Sequence, residues 1–98
     1  MIYLIATFKT KPGSLEAIKA AVDPCLKATR MEPGCISYDL FSSVEDPDTL
    51  VFVERWKTRE ALSAHFEAPH LVAWREAGSP FFIERKIEII HPDHVEAL

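Results

Sequence analysis

The chain has 98 residues, is 48% hydrophobic and carries a formal net charge of −4. That length holds one domain, residues 1–98, and that apolar share excludes a disordered chain. Acids and bases are mixed with no basic run, which excludes a phosphate-neutralising nucleic-acid surface, and no apolar run reaches a membrane span.

Residues 2–10, IYLIATFKT, are rich in β-branched and aromatic residues and predict a strand. Ile2, Leu4, Ala6 and Phe8 point one way, and Tyr3, Ile5 and Thr7 the other. This opening segment has neither the basic start nor the long apolar stretch of a secretory leader. Cys25 and Cys35 lack the spacing of a zinc or redox motif. The expectation is a cytoplasmic protein with reduced thiols. After Lys11-Pro12-Gly13, the segment 14–31 places Leu15, Ile18, Val22, Cys25 and Leu26 on one helical stripe. Gly13 or Ser14 is its N-cap, and Pro24 predicts a kink within it.

Glu32-Pro33-Gly34 is a turn. Residues 35–43 read as a second strand, with Ile36, Tyr38 and Leu40 on one face. The polar loop VEDPDT connects it to a third strand, TLVFVERW. There Leu50, Phe52, Glu54 and Trp56 share a face. Thr58 caps a helix from Arg59 to about Glu67, with Leu62, His65 and Phe66 on its apolar stripe. Pro69 starts a second helical piece to about Ala77. Residues 81–90 form the last strand, alternating Ile83, Arg85, Ile87 and Ile89 against Glu84, Lys86 and Glu88.

The order β-α-β-β-α-β predicts an α+β ferredoxin-like sandwich, one antiparallel sheet with helices on one face. Strands 1 and 3 fall in its centre. Both are apolar on both faces, although a sheet covered on one side should alternate between apolar and polar. The same face of a second copy is the simplest cover, which predicts a two-fold homodimer through the open sheet face.

Four motifs then line up: Pro12-Gly13, Glu32-Pro33-Gly34-Cys35 with Tyr38, Glu54-x-Trp56, and Ala64-His65-Phe66-x-x-Pro69-His70. Together they resemble the antibiotic biosynthesis monooxygenase (ABM) family, especially its quinol monooxygenase-like members, over essentially the whole chain. The resemblance implies a dimeric α+β barrel with a pocket between each sheet and its helices. It also implies oxidation of hydroquinols by O₂ with no cofactor. Relatives degrade haem or rearrange a small phosphorylated sugar in signal breakdown. The polyketide-oxidising type has an asparagine where this chain has Phe52 and a tyrosine where it has Leu62. The haem-degrading type has an asparagine on strand 1, and this chain has none there. Both readings are weakened, and a small electron-rich aromatic is favoured.

Each candidate residue has a structural reading beside a functional one. Trp56 is a core aromatic or a wall for a planar substrate. Glu54, flanked by Phe52 and Trp56, is costly to bury unless paired. It is a salt-bridge partner or a helix-capping contact, or else an acid of raised pKa near the pocket. His65 is a hydrogen-bonded core residue or a general base. His70 bonds backbone at the helical break, or lines the pocket mouth with Trp74. Tyr38 packs, or donates to a substrate oxygen. Phe66 is core or pocket wall. Arg75 and Arg85 are solvated or paired with Glu76, Glu84 or Glu88. His65 and His70 lie five apart, unlike an i, i+4 metal pair, so no metal is expected.

The leading expectation is a cofactor-independent monooxygenase with His65 and Tyr38 as catalytic groups. Trp56, Phe66, His70, Trp74 and Glu54 contact the substrate. The first rival is an isomerase of a phosphorylated sugar-like molecule, which needs a basic cluster such as Arg75 or Lys57. The second is a non-enzymatic dimer that binds a small aromatic.

Overall fold

The computed structural model describes all 98 residues. The elements run β1 (Ile2–Thr10), α1 (Leu15–Thr29), β2 (Cys35–Ser42), β3 (Thr49–Trp56), α2 (Arg59–Phe66), α3 (Pro69–Gly78) and β4 (Phe82–Ile90), with a 3-10 turn at Ser79–Phe81. The four strands form one sheet in the order β2-β3-β1-β4. Every neighbouring pair is antiparallel. This is the ferredoxin-like sandwich, with β1 and β3 central as the apolar patterning requires.

The central strands bury alternate residues. Ile2, Leu4, Ala6 and Phe8 of β1 meet Leu50, Phe52, Glu54 and Trp56 of β3 on the helix-covered face. Ile18, Val22 and Cys25 of α1, Leu62 of α2, and Leu71 and Trp74 of α3 close over them. Tyr3, Ile5, Val51 and Val53 look to the uncovered face and stay partly exposed.

Local chemistry sets the helix limits. Thr58 is extended and its hydroxyl accepts from the Ala61 amide at 3.1 Å, capping α2. Pro69 occupies the start of α3, where a missing N–H costs nothing. Ser14 precedes α1 but its side chain makes no capping bond, and Pro24 lies inside α1, which runs unbroken to Thr29.

One strand reading needs correction. The register of β2 against β3 shifts between Cys35 and Ser37, so Ile36 is 40% exposed and Cys35 stands opposite Trp56. An extra residue in one strand turns its side chain off the alternation. Tyr38, opposite Glu54, keeps the inward position.

Candidate active site

Between the sheet and α2–α3 lies a cavity of about 190 Å³. Ten of its fifteen lining residues are hydrophobic, and its polar ones are Glu54, His65, Arg75, Ser79 and Arg85. Its walls are an aromatic set. Phe8 stacks on Phe82 with centroids 4.6 Å apart, and Trp74 meets Phe52 and Phe82 edge-on. A cavity of about 150 Å³ holds benzene, so this one suits a single substituted ring.

His65, on α2, is 1% exposed. Its Nδ1 lies 2.7 Å from Glu32 Oε2, and His70 Nε2 lies 2.7 Å from the same oxygen. A carboxylate oxygen only accepts, so both nitrogens are the donors. This fixes neutral His65 as the Nδ1–H tautomer and leaves Nε2 with its lone pair. Nε2 has no protein partner, yet no buried polar side-chain atom goes unpaired. Nε2 is therefore open to the cavity that His65 lines. Burial lowers the His65 pKa against the opposing pull of Glu32, so the ring is a free base at neutral pH.

Glu54 lies on the floor beside it, 4% exposed and in no contact ion pair, with the Arg75 charge acting on it only weakly from the same cavity. Burial pushes its carboxyl up to about 7, against the bond that Trp56 Nε1 donates to Oε1 at 3.0 Å. Tyr38 completes the inner end. Burial and the nearby Glu54 charge raise its phenol pKa, so the hydroxyl stays protonated, and it lies 3.8 Å from Cys25 Sγ of α1. Its ring meets His65 edge-on at 5.2 Å.

The structure therefore brings Tyr38, Glu54, His65, Phe66 and Trp74 to one cavity. Trp56 and His70 are not in its lining. Trp56 is fully buried and tilts against the His65 ring at 4.7 Å, supporting it from behind. As the last residue of β3 it is carried past the open part of the cavity. His70 is drawn to Glu32 rather than to the mouth. Of the readings open for Glu54, no salt bridge forms, and its hydrogen-bond partner is the Trp56 indole.

In the sequence Glu32 belongs to a turn and to the motif Glu32-Pro33-Gly34-Cys35, and neither assigns it a contact with the histidines. Arg75 and Arg85 are exposed and unpaired, as the solvated reading has them, and both also line the cavity, where the isomerase reading needs a basic cluster; Lys57 is not in the lining. Glu32, His65 and His70 also offer ligand atoms within 4.8 Å of one another. The i, i+5 spacing concerns the two histidines alone, and Glu32 is the third ligand-bearing group beside them. The 2.7 Å separations here are those of hydrogen bonds.

Residues 1–77 match the family described as antibiotic biosynthesis monooxygenase. The Mycobacterium tuberculosis protein named "Putative monooxygenase Rv0793" is 39% identical over 76% of this chain and 72% of its own. "Probable quinol monooxygenase YgiN" of Escherichia coli is 29% identical over 94% and 98%. Among solved structures, one titled "Putative antibiotic biosynthesis monooxygenase from Nitrosomonas europaea" superposes with a TM-score of 0.90 at 30% identity, over 96% of this chain and 100% of the other. The fold, the motifs and these matches agree: the chain belongs to the antibiotic biosynthesis monooxygenase family.

Proposed function

We propose that the protein is a cofactor-independent monooxygenase that oxidises a small hydroquinol, or a related electron-rich aromatic, with O₂. The observation that carries this reading is the His65 ring, held by Glu32 with its free Nε2 turned to an apolar cavity of single-ring size. The names of the Mycobacterium and Escherichia relatives support the reaction class.

His65 Nε2 takes a proton from a ring hydroxyl. The resulting anion is the stronger reductant, and it supplies the electrons to O₂. The Tyr38 hydroxyl donates to the developing oxyanion, and Phe66 and Trp74 hold the ring. Apolar walls keep water from the reacting anion. The balance is one hydroquinol and one O₂ giving one hydroxyquinone and one water. The substrate loses four electrons, one oxygen atom is inserted, and the other leaves as water.

The working molecule is a homodimer through the uncovered sheet face, in a reducing cytoplasm that suits the free Cys25 and Cys35. No helix is long and apolar enough to cross a membrane. Incubation with ¹⁸O₂ and a panel of hydroquinols tests the reaction. One labelled oxygen in the product is expected. Intact ligand recovered from every incubation would leave a binder, and a parallel incubation with sugar phosphates that gives an isomerised product without O₂ uptake would leave an isomerase.

A further inference from the structure

We propose that the mouth of the cavity is an anion-recognition site, at which Arg75 and Arg85 receive a carboxylate carried by the substrate ring. The hydroquinol identity of that ring rests on the function proposed above. The binding of the charge does not.

The polar lining divides by depth. Glu54 and His65 are buried, whereas Arg75, Ser79 and Arg85 are exposed, so both cations stand at the open end. Three of the five arginines donate within the protein: Arg30 to Tyr38 and Asp39, Arg55 to Ser37, and Arg59 to Ser63. Arg75 and Arg85, the two that face the cavity, have no hydrogen-bond or ion-pair partner. Acids are not scarce, since the chain has 15 Asp and Glu against 11 Lys and Arg.

The reason is placement. Arg85 stands opposite Phe8 in the sheet, and strand alternation turns its neighbours Glu84 and Lys86 to the other face. Arg75 lies in the last turn of α3, where the helix dipole favours a cation. That dipole accounts for Arg75 alone and leaves Arg85 unexplained. Arg85 also falls outside residues 1–77, the span that matches the family. Arg75 sits 6.0 Å from the Phe66 ring centroid, on the edge of the apolar wall. Two unpaired guanidinium groups at the rim of an apolar slot suit a planar carboxylate on an aromatic ring, because each fork can pair with it through two N–H bonds.

Gentisate and methylhydroquinone test this. They share a hydroquinone ring and differ by a carboxylate against a methyl group. Their anaerobic affinities, read by isothermal titration calorimetry at low salt, should favour gentisate by about tenfold or more. The double variant R75Q/R85Q should lose that preference, and R75K/R85K should keep part of it. Equal affinities in the wild type, an unchanged preference in R75Q/R85Q, or binding of neither ligand would each overturn the proposal. O₂ uptake with the same ligands is read separately. A gentisate preference without uptake keeps the anion site and ends the oxygenase reading. Uptake with no preference does the reverse.

Discussion

Glu54 and His65 are neighbours with opposite demands on pH. Glu54 is buried without a contact ion pair, and burial outweighs the Trp56 bond and the Arg75 charge, so its carboxyl rises from 4.5 to about 7. The folded state thus holds a proton that the unfolded chain has released. Its contribution to stability is full below about pH 4.5 and is lost as pH rises through about 7, a difference of roughly 3 kcal/mol. Glu54→Gln keeps the acceptor for Trp56 and removes the titration. Urea unfolding at pH 5 and pH 8 should show the wild type losing stability relative to this variant. Parallel pH dependences would contradict the assignment. His65 shifts the other way, and burial keeps it neutral at pH values where a free histidine would begin to charge. Glu32 opposes that shift. Glu32→Gln should therefore move the acid limb of kcat/KM to lower pH, as well as slow turnover by about 10–100-fold. A lower rate with the limb unmoved would reduce Glu32 to a brace.

At the scale of elements, the site depends on the approach of α2 to the turn before β2. Gly34 in that turn has φ +85°, and a Cβ there would stand 2.6 Å from Ala61 Cβ. That closeness lets Glu32 reach His65, 33 residues away, and His70, 38 away. Gly34→Ala should cost more than about 2 kcal/mol, from left-handed strain plus the clash. Adding Ala61→Gly should restore only the part due to the clash, measurable by denaturant unfolding.

The same approach shows where sequence reading stops. Strand and helix periodicity located every main element, the Thr58 cap and the Pro69 start, because these are local. Tyr38, Glu54, His65, Phe66 and Trp74 were likewise legible from the faces they share. Glu32 was not, since its meeting with two histidines is set by how a helix crosses a turn. The outward turn of Ile36 needed the bulge in register, which no local pattern announces. Trp56 shares a face with Glu54, but the cavity ends before it does. Arg85 is inward by alternation, yet its lack of partners depends on Phe8 standing across from it.

At the scale of the whole molecule, the helices cover one side of the sheet. Tyr3, Ile5, Val51 and Val53 remain on the other, and Phe41 beside them is 54% exposed. Packing two such faces would cover them. Val53→Lys places a charge in the middle of that surface and should turn a dimer into a monomer by sedimentation equilibrium. A wild type that sediments as a monomer would remove the proposed interface.

O₂ consumption with a panel of hydroquinols, corrected for autoxidation and compared between wild type and His65→Ala, tests the central claim most directly. The account predicts uptake above background in the wild type and a fall of about 10²–10⁴-fold in a variant that still folds. Uptake that survives intact in folded His65→Ala would contradict the role of His65, and no uptake with any hydroquinol would contradict the reaction itself.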